Sequence, residues 1–184
     1  RAPGLTREAF CRKVGIRADV PFILFLGSSE DSSPHEDELI FVRRWLRTVR
    51  DTADSNLRRV GVLIRPHPFN SAHWKNISWA NDGNVCVYPD HGVYPTNQEA
   101  RSDYFDTMFH AAGVVGINTS ALIEAAIVGR TVHTILAPEF ATRQTGTLHF
   151  HYLLPNNGGF LQVATDLREH VQQLAYTLRS PDER

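Results

Sequence analysis

Apolar residues in this chain gather in short runs, and the stretches between them carry helical spacing. Residues 20–26 (Val-Pro-Phe-Ile-Leu-Phe-Leu) are apolar at consecutive positions. A parallel strand covered by helices on both faces has that pattern. Further runs predict strands at 60–64, 85–88, 114–117 and 132–136, after a first strand at 21–26. Between the first two, Leu39, Phe41, Val42, Trp45, Leu46 and Val49 recur at three- and four-residue spacing. They predict a helix opened by Pro34 and running to about Asp54. Thr6 is placed to cap a short helix ending at Val14, and Ser102 to cap a helix over 103–112. Residues 121–128 read as a helix with Gly129 as its C-cap. A turn-rich loop spans 90–97, and a long polar segment follows the fifth strand. A final helix runs from Thr165 to Leu178, before Pro181.

Strands alternating with helices argue for an α/β fold. It is a Rossmann-like parallel sheet of five or six strands, flanked by helices on both faces. Residues 1–19 read as a linker and lead-in helix, and 20–184 as the domain. Trp45 and Phe105 are core candidates. The 184 residues suit one domain with a substantial core.

Composition narrows the functional classes. Nineteen basic residues face twenty acidic ones, for a net charge of -1. This balance argues against a nucleic-acid surface or a polybasic membrane anchor. Only Lys13 and Lys75 are lysines, so arginine dominates the cations. The two cysteines, Cys11 and Cys86, form no CxxC pair. With no signal peptide in view, they fit a reducing, cytoplasmic setting, Cys86 as a small buried residue. No apolar run approaches the ~20 residues that span a bilayer.

Chemistry is expected where the strands end, because open parallel sheets bind ligands beyond their carboxyl edge. Gly27-Ser28-Ser29 follows the first strand and Arg65-Pro66-His67-Pro68 the second. Tyr88 ends the third, where it could stack on a base. Asn118-Thr119-Ser120 follows the fourth, and Arg143 to Thr147 lie beyond the fifth. Hydroxyls, amides and cations converging on one edge suit a diphosphate. Glu124 lies four residues after Ser120, on the same helical face, and could accept hydrogen bonds from both ribose hydroxyls. Ser120 as a simple helix cap, with Glu124 as a solvated side chain, explains the same residues. His149 and His151 would share a face if extended, but no third ligand accompanies them, and no metal is expected. Ser28 lacks the surroundings of a hydrolase nucleophile.

The segment from Gly116 to Gly129, followed by Arg130-Thr131-Val132, resembles the donor-site helix of GT-B glycosyltransferases. It is similar in style to peptidoglycan N-acetylglucosaminyltransferase and to the UDP-N-acetylglucosamine 2-epimerases. Thr131 stands where proline is usual. Leu26 to Ser29 resemble the glycine/serine loop that opens the C-terminal half. His67-Pro68 resembles the HP motif of bacterial sialyltransferases, CDP-glycerol polymerases and capsule Kdo transferases. The resemblance implies a nucleotide-sugar-binding GT-B half, serving surface polysaccharide synthesis. Ser28, Ser29, Asn118, Thr119 and Ser120 would hold phosphates, and Glu124 the ribose. His67 and Arg65 would offset charge on the leaving diphosphate. Gln144, Thr145 and Thr147 would orient the donor sugar.

No cofactor beyond the nucleotide-sugar donor follows from that resemblance. The expected partner is an N-terminal acceptor domain of the same parent protein, through which peripheral membrane association could arise. The chain opens on Arg1 rather than Met, which suggests a piece of something longer; alone, it is expected to bind nucleotide without transferase turnover. A 2-epimerase-like enzyme and a non-catalytic ligand-binding or interaction domain remain open as alternatives.

Overall fold

The computed structural model describes residues 2–29, 35–75, 77–90 and 93–180. In chain order the elements are α1 (Arg7–Val14), β1 (Phe22–Leu26), α2 (His35–Arg50), α3 (Ser55–Arg59), β2 (Gly61–Arg65) and β3 (Val85–Val87). Then come α4 (Gln98–Phe109), β4 (Gly113–Gly116), α5 (Ala121–Ile127), β5 (Val132–Ile135), α6 (Ala141–Gln144), α7 (Leu148–Leu153), β6 (Gln162–Ala164) and α8 (Leu167–Arg179). All six strands form one sheet in the order β3-β2-β1-β4-β5-β6, and each pairing is parallel. The order reverses direction between β1 and β4. The loops leaving those two strands therefore diverge and leave a crevice at their carboxyl ends.

Alternation along the strands builds two cores. Ile23 and Phe25 of β1, Val62 and Ile64 of β2, and Val115 of β4 pack on one face. Phe41, Val42, Trp45, Leu46 and Val49 of α2 and Leu174 of α8 cover them. Phe22, Leu24 and Leu26 point to the other face, with Leu63 and Val114. There they meet Phe10 and Cys11 of α1, Met108 of α4, Leu122 and Ala125 of α5, and Phe150 of α7. Each fully buried Val, Leu, Ile, Phe or Met side chain among these stabilises the fold by about 1.5–3 kcal/mol. The segment read as a linker and lead-in is thus packed against the sheet. Thr6 accepts from the Ala9 amide as its N-cap, and Phe10 and Cys11 are fully buried.

Several boundaries differ from the sequence-based expectation. The helix expected to reach Asp54 stops at Arg50, because Asp54 instead caps a separate α3 by accepting from the Asn56 and Leu57 amides. Pro34 and Pro181 lie outside the described residues. Asn97, not Ser102, caps α4, taking the Ala100 amide on its side chain. Val128 is the C-cap of α5, and Gly129 follows it at φ 85°, where a side chain would strain the backbone. The polar segment after β5 contains three more elements, α6, α7 and the edge strand β6. Phe105 is only half-buried and stacks on Phe109. Cys86 is also half-buried; Cys11 and Cys86 are both free thiols. No helix among the described residues is long and apolar enough to cross a membrane.

One buried polar group links this packing to pH. His170 on α8 is fully buried, between Trp45 and His133, and neither ring nitrogen has a hydrogen bond among the described residues. Burial, reinforced by His133, holds its ionisation well below the ordinary histidine value. The folded protein therefore keeps the ring neutral while the unfolded chain takes up a proton below about pH 6.5. His170 should cost no stability from ionisation above that pH. Below it, stability should fall by up to about 1.4 kcal/mol per pH unit until the folded ring itself titrates. Urea denaturation between pH 5 and 7.5 checks this. His170→Leu should remove that part of the slope, and an unchanged slope would exclude His170 as its source.

Candidate functional site

The crevice at the strand ends is lined from four loops. A cleft of about 280 Å³ is bordered by Gly27, Arg65, His67, Tyr94, Tyr104, Thr119, Ser120 and Glu124, among others. A second hollow of about 220 Å³ shares His67, Thr119 and Ser120 with it and adds Ser29, Asn118 and His149. Residues separated by more than fifty positions thus face one space. Gly27 makes this closeness possible: a Cβ there would lie 2.9 Å from the His67 backbone nitrogen. Only glycine lets the first loop pass so near the second.

Arg65 ends β2 and is 7% exposed. Its guanidinium lies over the Tyr104 ring, 4.8 Å from the centroid, and makes a long 3.4 Å contact to Thr107 Oγ1. Burial lowers its pKa, countered by Tyr104, Tyr88 and Asp103 nearby. Asp103 is already engaged by Lys13 and by the Tyr88 hydroxyl. Among the described residues no carboxylate forms an ion pair with Arg65. A nearly buried cation bordering a cleft without such a partner favours an anion there.

His67 sits two residues on. The Phe69 amide donates to His67 Nδ1 at 3.3 Å, which leaves the ring proton on Nε2. Burial pushes the pKa down, so the ring is neutral at pH 7. The imidazole bordering the cleft is therefore a neutral N–H donor. Thr119 is 8% exposed and Ser120 is exposed; Ser120 makes no capping hydrogen bond with its side chain, which leaves the hydroxyl to the cleft. Glu124 is exposed on α5 and takes the Tyr104 hydroxyl on Oε2, leaving Oε1 without a protein partner among the described residues. That bond and burial drive the Tyr104 pKa well up.

Other expected site residues are placed differently. Ser28 is fully buried beneath the cleft: its amide donates to Glu38 Oε1, its carbonyl accepts from Asn70 Nδ2, and its hydroxyl accepts from the Asn118 amide. It can shape the floor of the cleft but cannot touch a ligand as placed. Asn118 is also buried; its Nδ2 donates to Arg143 O and Thr147 Oγ1, and its Oδ1 accepts from His149 Nε2. The Tyr88 ring borders a neighbouring hollow of about 270 Å³ that shares Arg65, and it is absent from the lining of the main cleft.

Gln144 corrects the sugar-binding expectation. It is fully buried, and its Nε2 donates to Ile117 O at 3.1 Å and Ile135 O at 2.9 Å. The carboxamide ties the ends of β4 and β5 together and is closed to a ligand. The Thr145 and Thr147 hydroxyls donate to carbonyls of their own helical turns. Neither threonine lines the cleft. His149 and His151 lie on the helix α7, not on an extended segment, so they do not share a face. No group of three or more potential ligands among the described residues could hold a metal ion.

Three contributors escaped the sequence reading: Glu38, Asn70 and Tyr104. Glu38 is wholly buried although it lies early in a helix, where an acidic residue reads as solvated. Asn70 follows His67 by three residues and closes that turn, its amide donating to His67 O at 2.9 Å. An asparagine after a Pro-His-Pro turn was the available signal.

The sequence matches no family model and no curated protein. Solved structures of the wall teichoic acid polymerase TagF share its fold. The H444N variant superposes with a TM-score of 0.58 at 11% identity, covering 95% of this chain and 40% of TagF. Another TagF structure gives 0.57 at 13% identity, covering 95% and 39%. H444N TagF soaked with CDPG gives 0.53 at 12% identity, covering 96% and 40%. The fold is thus Rossmann-like and shared with part of TagF, and the chain spans about two fifths of the TagF structures.

Gln144→Ala should destabilise the protein by about 1–3 kcal/mol, because it strips a donor from two buried carbonyls. Urea unfolding checks this, and nucleotide affinity of the folded protein should not change. A fully stable variant with weakened sugar-nucleotide affinity would restore Gln144 to ligand binding.

Proposed function

We propose that this chain is the donor-binding half of a glycosyltransferase-type enzyme and takes a nucleotide-activated substrate through its diphosphate. One observation carries the reading: Arg65, nearly buried and without an ion-paired carboxylate among the described residues, borders the same cleft as a neutral His67 N–H donor and the Thr119 and Ser120 side chains. Cation, N–H and hydroxyl together complement phosphate oxygens. The free Glu124 Oε1 at the far side of that cleft can accept a ribose hydroxyl.

The chemistry follows from these groups. As the bond to the transferred group breaks, the electron pair moves to a phosphate oxygen of the departing nucleotide. Arg65 and the His67 Nε2–H would stabilise that charge, and a site that excludes water strengthens the interaction. With its proton on Nε2, His67 donates to the leaving group and does not act as the acceptor's base. That base would come from an acceptor-binding half, consistent with the share of TagF that this chain covers. The likeness of His67-Pro68 to the HP motif of CDP-glycerol polymerases, together with the CDPG-soaked TagF structure, makes CDP the first nucleotide to test. A role in bacterial surface polysaccharide synthesis and a cytoplasmic location belong to the same proposal, with no cofactor beyond the donor.

Glu124→Ala should weaken CDP binding by about 1.5–3 kcal/mol, the range for a hydrogen bond to a charged group. Isothermal calorimetry measures it, and unchanged affinity in a folded variant would remove Glu124 from the ribose role. A second test concerns transfer. The 184-residue chain should bind nucleotide yet transfer nothing, because ~7–11 kcal/mol of the rate enhancement comes from holding donor and acceptor together. Labelled CDP- and UDP-linked donors, incubated with this chain and with a two-domain parent, provide the comparison. Robust transfer by the chain alone would overturn the half-enzyme reading.

A further inference from the structure

Ser28 is where three strand-end loops are fastened together. Its amide donates to Glu38 Oε1 at 2.8 Å. Its carbonyl accepts from Asn70 Nδ2 at 2.8 Å, and Asn70 belongs to the turn that carries His67. Its hydroxyl accepts from the Asn118 amide at 3.4 Å, which brings in the loop of Thr119 and Ser120. Glu38 and Asn70 are both nine-tenths or more buried, and Glu38 Oε2 and Asn70 Oδ1 have no hydrogen-bond partner among the described residues. An unpaired carboxyl oxygen at that depth is costly, and shape alone does not require it.

We propose that Glu38 is a positioning residue: through the Ser28 amide it holds the floor of the cleft in the shape that receives an anionic ligand. This rests on the nucleotide reading above. Glu38 touches no ligand itself and acts through Ser28 on the three loops that carry the ligand-facing groups. The influences on it are burial and the hydrogen bonds from Ser28, without a charged partner. Asp37, beside it on α2, is exposed. The titratable groups joined to the same network are His67, held neutral by burial, and His149, bonded to Asn118. Burial raises the Glu38 carboxyl to about 8, so it is mostly a neutral acid at pH 7. Its charged form would place a buried anion under a diphosphate, so ligand binding favours the protonated form.

Calorimetric titration with CDP between pH 7 and 9 tests this on wild type, Glu38→Gln and Glu38→Ala. Wild-type affinity should fall about threefold or more across that range, short of the tenfold per pH unit that one proton allows. Glu38→Gln keeps a carbonyl for the Ser28 amide, so it should bind CDP about as well as wild type at pH 7 and lose the pH dependence. Glu38→Ala should lose about tenfold at pH 7, the scale of one hydrogen bond. An unchanged pH profile in Glu38→Gln, or wild-type affinity in Glu38→Ala, would overturn the proposal. Should wild type bind neither CDP nor UDP, the nucleotide reading fails, and hydrogen exchange at the Ser28 amide then decides the Glu38 claim. Exchange should be slow in wild type and Glu38→Gln and about tenfold faster in Glu38→Ala. Equal rates in all three, or fast exchange in Glu38→Gln, would overturn it.

Discussion

The architecture of the cleft depends on how the Ser28 peptide is held at the point where strand order reverses. A parallel sheet brings its strand ends to one edge, but the loops beyond them have no ladder to hold them. Here the amide, carbonyl and hydroxyl of one buried serine each bond to a different segment. Gly27 then brings the first loop against the second with no side chain between them. The fastening is made by buried polar groups, which cost free energy wherever they are left unpaired. It therefore gives the loops one arrangement where a looser set of contacts would allow several.

Around that floor the ligand-facing groups are divided by chemistry. Arg65 and His67 come from one strand end and present a cation and a neutral donor to the cleft. Thr119, Ser120 and Glu124 come from the loop and helix after β4 and offer hydroxyls and a carboxylate. Tyr104 joins the two sides: its ring lies against the Arg65 guanidinium while its hydroxyl holds one oxygen of Glu124. Tyr104 thus contacts both the cation and the carboxylate of the cleft. The fold shared with TagF places this arrangement at the edge where open α/β sheets bind ligands.

The sequence revealed the sheet more clearly than the site. β1, β2 and β4 are short, mainly apolar runs buried on both faces, and β5, Val-His-Thr-Ile, is buried as fully with two polar residues inside it. The edge strand β6, Gln-Val-Ala, has one exposed and one half-buried position and no such run, so it read as polar loop. Asp54 and Asn97 cap helices whose starts were hidden, because residues around each could also have continued or delayed a helix. At the site, sequence order showed which residues follow each strand but not which way their side chains turn. His67, Ser120 and Glu124 turn into the cleft, whereas Ser28 and Gln144 turn inward to satisfy buried backbone. Glu38 escaped notice for the converse reason: a helical glutamate reads as solvent-facing, and only the tertiary structure shows it buried on an amide.

The tautomer of the His67 ring is decided by main chain. The Phe69 N–H occupies Nδ1, and every amino acid except proline supplies that N–H. The identity of the side chain at position 69 is thus free to vary without changing which ring nitrogen carries the proton. A proline there would release Nδ1, let the proton move, and allow Nε2 to become an acceptor. The difference between a group that shields departing charge and one that removes a proton from an incoming nucleophile would then rest on a single backbone hydrogen, a choice made by the polypeptide and not by the histidine.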